Sequence, residues 1–170
     1  MKKFLKFSGI ISALLAIVAF ILILATAGIM SGSDIVAKGT SVIFGKAESG
    51  SIGGFSWGKI NLAWSGLLAW IFILLALLIL IAGIVLPLLK VKTPVDKFAG
   101  LLNLIAVCLL VVAGIFIFIT LPVFCSANGW KEVPEQWTLG AGWVIAGILA
   151  ISAGVIAILP AAMDFLGKKK

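Results

Sequence analysis

Long apolar runs alternate with short polar segments along this chain. Four runs contain no charged residue, namely residues 7–33, 60–89, 98–130 and 136–163. Each is longer than the roughly 20 helical residues that cross a hydrocarbon core of about 30 Å. The runs lack the period-two alternation of a membrane β-barrel strand. The pattern therefore predicts four transmembrane helices, at about residues 7–30, 62–89, 94–121 and 135–165.

The predicted fold is an all-α integral membrane protein, a four-helix bundle forming a single domain over residues 1–170. A long outer loop at 31–61 and a shorter one at 122–134 lie at one end, and an inner loop at 90–93 lies at the other. Residues 1–27 also resemble a secretory signal, with Ala25 and Ala27 as a small-x-small site. The apolar run exceeds the usual length of about 7 to 15 residues. We therefore expect it to remain as the first helix.

An internal repeat organises the four helices. Residues 6–12 match residues 97–103 at the start of the first and third helices, and the second and fourth helices share the spacing Trp-x5-Trp-x16-Pro. A unit of two helices enters the membrane in the same direction each time, and such parallel repeats are related by an axis along the membrane normal. We therefore expect two parallel two-helix repeats. The tryptophan pairs that carry the match are Trp64 with Trp70, and Trp137 with Trp143.

The net charge of +7 indicates the orientation. Nine lysines flank the predicted inner ends, whereas the lysines and acids of the outer loops cancel. By the positive-inside rule both termini are cytoplasmic (N-in/C-in), in a multi-pass protein that we place in the plasma membrane. The lysines follow membrane boundaries instead of forming one patch, which predicts contact with the lipid bilayer and no nucleic-acid binding.

Tryptophans concentrate at the predicted outer boundary. Aromatic side chains of this kind favour the headgroup zone. Interfacial anchors are therefore predicted at Trp64, Trp70, Trp137 and Trp143.

Small and weakly polar residues mark the predicted helix contacts. Gly140, Gly147 and Gly154 recur every seven residues on the fourth helix, a spacing that favours close packing either within the chain or with another copy. Ser12 and Asn103 occupy equivalent repeat positions. We expect both to face the bundle interior, and a hydrogen bond between them is one interpretation.

The long outer loop is the main difference between the two halves and our prediction for where specificity resides. Its residues 35–37 and 41–44 favour a short hairpin with each other.

Catalytic chemistry is not indicated. The chain has no histidine or tyrosine, and no acid lies within the apolar runs, so we expect no enzyme activity, cofactor or metal site. Cys108 is interpreted as a small core residue. Cys125 is interpreted as an exposed thiol.

The composition therefore favours an accessory or structural subunit, which assembles as a homo-oligomer or with a larger membrane-protein partner through the fourth helix and the outer loop. The alternative is an oligomeric channel or small transporter. The layout resembles that of tetraspan families such as claudins in topology only. Claudins carry a cysteine pair in the first loop, which this loop lacks, so the resemblance implies no function.

Overall fold

The structure is a computed structural model that describes residues 2–46, 50–52, 55–57, 59–88 and 99–166. The predicted inner loop at 90–93 and the lysines around it lie outside these residues. The fold is mostly helical, and four of its helices are long and apolar enough to cross a membrane. This confirms the prediction of four such helices, as expected of a multi-pass membrane protein.

The long helices are α1 (Lys2–Ala25), α3 (Trp64–Leu88), α4 (Ala99–Phe118) and α6 (Ala141–Leu166). The short helices are α2 (Gly39–Phe44) and α5 (Thr120–Ala127). The strands are β1 (Ala27–Ser31), β2 (Asp34–Lys38), β3 (Gly50–Ile52), β4 (Phe55–Trp57) and β5 (Trp137–Leu139).

The four long helices form a ring in which each packs against two neighbours. Helix α6 makes the most extensive contacts, with α4 on one side and α1 on the other, and α3 closes the ring between α4 and α1. Alanine dominates the buried positions, which allows the backbones to approach closely. The fully buried alanines include Ala16, Ala19, Ala69, Ala76, Ala106, Ala113, Ala146, Ala150, Ala153 and Ala157.

The pair α1 and α3 has the least extensive contact in the ring, and α2 packs against both helices. Gly39 donates its backbone N–H to the Thr26 carbonyl over 2.9 Å, which joins α2 to the end of α1. A Cβ at Gly39 would collide with the Ile23 carbonyl, so glycine permits this close approach.

The predicted all-α description is wrong outside the long helices, because the loops at one end of the bundle contain β-strands. Strand β1 begins two residues after α1 ends, so residues 27–31 are extended instead of completing the first predicted helix. Likewise, β5 occupies residues predicted to begin the fourth helix. Strands from both loops form one antiparallel sheet in the order β2-β1-β5.

The predicted hairpin is also wrong in its partners. Residues 35–37 pair with β1, and residues 41–44 are helical. Strand β2 contains a bulge, because Ile29 pairs with Ala37 and Met30 with Ile35, which leaves Val36 as an extra residue. Val36 and Ala37 are consecutive and both buried, so strict period-two alternation is lost in this strand.

Candidate functional site

The folded layer at one end of the bundle is the strongest candidate for a functional surface. We call it the cap and define it as β1, β2, α2, α5 and β5. It lies where α1 and α4 end and where α3 and α6 begin. It combines segments of both loops, so its shape depends on the whole chain.

Trp143 attaches the cap to the bundle. Its side chain is completely buried, and its indole N–H donates to the Ile23 carbonyl over 3.0 Å. This carbonyl lies in the last turn of α1, where backbone acceptors lack helical partners. Trp143 was predicted as an interfacial anchor, but it has no surface left for lipid headgroups and is instead a hydrogen-bonded core residue.

The three glycines predicted to pack all face other parts of the same chain, with Gly140 directly before α6 and Gly147 and Gly154 within it. Gly140 donates its N–H to Gly28 over 3.0 Å and packs against Ala27. A Cβ at Gly147 would lie 2.9 Å from the ring of Phe118. A Cβ at Gly154 would lie 2.9 Å from the side chain of Val111. The stripe thus serves contacts with β1 and α4 of its own chain, which answers the question left open by the sequence.

Ser12 and Asn103 contact different helices. Ser12 is fully buried and donates its hydroxyl to the Ala153 carbonyl of α6 over 2.7 Å. Asn103 is half-buried, and its Oδ1 would lie 3.6 Å from a Cβ at Gly83 of α3. The structure does not bring these two residues together, because α1 and α4 occupy opposite positions in the ring.

The other three predicted anchors have different surroundings despite their equivalent spacing. Trp64 is 49% exposed and meets Phe116 edge to face at 5.7 Å. Trp137 is half-buried in β5 and packs edge to face on Trp130 at 4.7 Å.

Trp70 is half-buried in α3, where its ring stacks on Phe20 at 5.8 Å and meets Phe44 edge to face at 5.4 Å. Its indole nitrogen is buried and has no hydrogen-bond partner among the residues that the structure describes. Trp70 and Trp143, which hold matching positions in the Trp-x5-Trp-x16-Pro spacing, therefore differ in their hydrogen bonding.

A pair of asparagines that the sequence reasoning missed joins the two loops. Asn61 donates its backbone N–H to Oδ1 of Asn128 over 2.7 Å and its Nδ2 to the Ala127 carbonyl over 2.9 Å. Asn128 donates its Nδ2 back to the Asn61 carbonyl over 3.2 Å and to the Phe124 carbonyl over 2.8 Å. The available signal was an amide side chain near one end of each of two charge-free runs.

Buried hydroxyls connect α3 with the start of α5. Ser65 donates to Oγ1 of Thr120 over 3.2 Å, and Thr120 donates to the Phe116 carbonyl over 2.7 Å. Thr120 follows Ile119, where the helix breaks with φ −86° and ψ 1°. The bond to Ser65 therefore fixes the point at which α5 departs from α4.

Each of the two cysteines lies in the environment opposite to the one predicted for it from the sequence. Cys108 is exposed on the surface of α4, whereas Cys125 is buried in α5. Burial raises the pKa of the Cys125 thiol. Across the residues that the structure describes, no cluster of three or more metal-binding side chains occurs.

The exposed surface of the two loops carries mixed charges around isolated apolar side chains. On the first loop Ile35 is 48% exposed between the exposed charges of Asp34 and Lys38. On the second loop Val133 is exposed beside Lys131 and Glu132. Apolar side chains scattered singly in this way are common on protein surfaces, so Ile35 and Val133 provide positions for testing and do not form a binding patch.

Comparison with known proteins finds no matching family model and no significantly similar curated sequence. The functional argument therefore rests on the residues of this chain.

Proposed function

We propose that this protein is a non-catalytic accessory or structural subunit of the plasma membrane. It assembles with itself or with a larger membrane protein through the cap and the lipid-facing side of α6. The cap lies outside the cell, and both termini are cytoplasmic.

The observation that carries this proposal is the construction of the cap from both loops. Strand β5 pairs with β1 from Ile29↔Leu139 to Ser31↔Trp137, and the Asn61–Asn128 bonds join the same loops at a second point. A preorganised surface loses less conformational entropy on binding than a flexible loop does. A folded cap is thus well suited to hold a partner.

The side of α6 available for assembly is its exposed face, which lies about a quarter turn from Gly147 and Gly154. Ile145, Ile148 and Val155 are exposed there, at spacings of three and seven residues. Because the glycines are used within the chain, a partner helix would meet these larger side chains.

The parallel repeat is part of the proposal. Its support is that α1 and α4, the proposed equivalents, lie opposite each other in the ring, as do α3 and α6. A two-fold axis along the bundle would produce this arrangement.

The bundle interior supports a structural role over the alternative of an oligomeric channel or small transporter. Alanines fill the centre, and the Ser12 hydroxyl is bonded to Ala153. A pore would therefore have to lie between copies of the chain.

Crosslinking in native membranes tests the proposal. A photoreactive amino acid at position 35 should capture one protein partner in a fixed stoichiometry, and Ile35→Asp should abolish its co-purification. Val133→Asp is the matched control, since it places the same charge on the second loop. If specificity resides in the first loop, this variant should leave the partner bound. Deleting residues 31–61 is unsuitable, because Val36, Val42 and Ile43 contribute to the core.

Two results would overturn the proposal. One is capture of lipid alone from position 35. The other is solute flux in liposomes that Asn103→Leu blocks and Ile35→Asp leaves unchanged, which would establish the channel.

A further inference from the structure

A groove of about 320 Å³ lies where the cap meets the bundle, between the first residue of α3 and the side of α5. Its lining consists of Trp64, Pro122, Val123, Ser126 and Ala127. Four of these side chains present apolar surface, and Ser126 supplies a hydroxyl. The exposed indole of Trp64 forms one wall and is supported by Phe116.

The groove lies at the ends of two apolar spans. Trp64 is the first residue of the apolar span of α3, and Pro122 to Ala127 follow the end of the apolar span of α4 at Phe118. The ends of such spans meet the headgroup layer of a bilayer. The groove is therefore accessible to lipids of the leaflet on this side.

An exposed stripe on α4 leads from the hydrocarbon into this groove. Ile115, Phe118 and Ile119 are exposed, and the exposed Pro122 and Ser126 continue the stripe on α5. Backbone bonds from Ile119 to Ile115 and from Val123 to Ile119 continue across the break. Residues at these spacings of three, four, seven and eleven therefore lie on adjoining faces of α4 and α5. The surface is thus apolar along α4 and gains a hydrogen-bond donor at its far end.

A positive charge lies near the polar end. Lys59 is exposed and precedes Asn61 by two residues, and Asn61 is bonded to the carbonyl of the groove residue Ala127. Two extended residues span at most about 7 Å. Lys59 therefore lies within about 7 Å of Asn61, on the side of the groove that carries Ala127.

We propose that the groove binds one glycerophospholipid of the leaflet on the cap side. An acyl chain lies along Ile115 and Phe118, the glycerol esters lie between Trp64 and Val123, and Ser126 donates a hydrogen bond to an ester or phosphate oxygen. Lys59 faces the phosphate. The side chains along the groove change from apolar to hydrogen-bonding to cationic. This is the order of the acyl chain, the esters and the phosphate along a phospholipid, and it identifies the occupant.

The test uses the full-length protein in nanodiscs that contain a phosphatidylglycerol with a photoreactive group at the start of one acyl chain. Crosslinks should concentrate on residues 64 and 122–127. Val123→Trp, which fills the groove, should lower this labelling about tenfold, equivalent to about 1.4 kcal/mol of binding free energy. Val155→Trp makes the same change on the exposed face of α6 and should leave the labelling unchanged.

Ser126→Ala is a second variant that keeps the groove open. It should reduce labelling by about threefold with unchanged helicity, since it removes one donor of about 0.6 kcal/mol. Equal labelling of all lipid-facing positions in the wild type would overturn the proposal, as would crosslinks from the groove to a second protein. Neither outcome depends on the crosslinking test of the proposed function, because this experiment needs only the protein inserted in a lipid bilayer.

Discussion

The indole N–H of Trp143 donates to the carbonyl of Ile23 over 3.0 Å and joins the start of α6 to the end of α1. These residues are 120 positions apart in the chain. The bond closes the ring of helices at the level of the cap, where β1 leaves α1.

Replacing Trp143 should therefore destabilise the fold more than replacing Trp70, which holds the matching position in the sequence. Trp143→Phe leaves the buried Ile23 carbonyl without its donor, which costs about 1 to 3 kcal/mol. Trp70→Phe removes an indole nitrogen that is buried without a partner in the described part of the chain, so stability should stay equal or rise. Unfolding in mixed micelles, followed by circular dichroism, measures both. Equal losses in the two variants would show that ring packing outweighs the hydrogen bond.

The glycines of α6 should tolerate no large side chain. Gly147→Ile and Gly154→Ile place methyl groups against Phe118 and Val111, and overpacking costs about 1 to 3 kcal/mol. Gly9→Ile is the matched control, because nothing lies within 4 Å of a Cβ at that position. The same unfolding assay should find the control close to wild type. A destabilised control would indicate a general cost of isoleucine in these helices.

Ser12→Ala should weaken the contact of α1 with α6. It removes the hydroxyl that bonds to Ala153, and such bonds within membranes are worth about 0.6 to 1.7 kcal/mol. The Ser33→Ala variant, at an exposed turn position, provides the comparison and should unfold like the wild type. If Ser12→Ala unfolds like Ser33→Ala, the bond from Ser12 to the Ala153 carbonyl contributes nothing measurable to stability.

The Asn61–Asn128 contact should behave as one unit. Asn128→Asp keeps an acceptor for the Asn61 N–H but loses the two donations from Nδ2, and it places a carboxylate beside two carbonyls. We expect it to be less stable than Asn128→Ala by about 1 kcal/mol.

A double-mutant cycle of Asn61→Ala with Asn128→Ala tests the coupling, and it should give less than additive destabilisation. Hydrogen exchange at the Asn61 amide should accelerate in both single variants. Strict additivity would contradict a reciprocal bond.

The Cys125 thiol should react slowly and make stability depend on pH. Burial raises its pKa above the ordinary value of 9.0, so the folded state disfavours the thiolate. Its contribution to stability is complete below pH 9 and declines as the pH rises through the raised pKa. Alkylation at pH 8 should therefore be slower in the folded protein than after unfolding, with Cys108→Ala as background to isolate this thiol. Equal rates in the two states would contradict the burial.

The sequence predicted the four long apolar helices because the requirement is local. Charge-free runs of sufficient length and apolar composition each satisfy the backbone within one helix. The same reasoning failed in the loops, where β1 pairs with β5 across more than one hundred residues. Strand pairing between distant segments leaves little trace in local periodicity. In β2 the bulge at Val36 also interrupts the period-two alternation by which a strand could be recognised.

The candidate site was predictable only in part. Ser12, Gly140, Gly147 and Gly154 were singled out as packing residues, and each lies in a close contact in the structure. The sequence did not reveal which helix each residue meets.

For this protein the sequence by itself determined the number of long apolar helices and the small residues that allow them to pack. The tertiary structure alone decided that α6 lies between α1 and α4, that Trp143 is internal while Trp64 is exposed, and that both loops fold into one cap. The physical reason is that hydrophobic length is a property of each segment. Burial and hydrogen-bond partners depend on which segments meet, and the ring of helices fixes that only after the chain has folded.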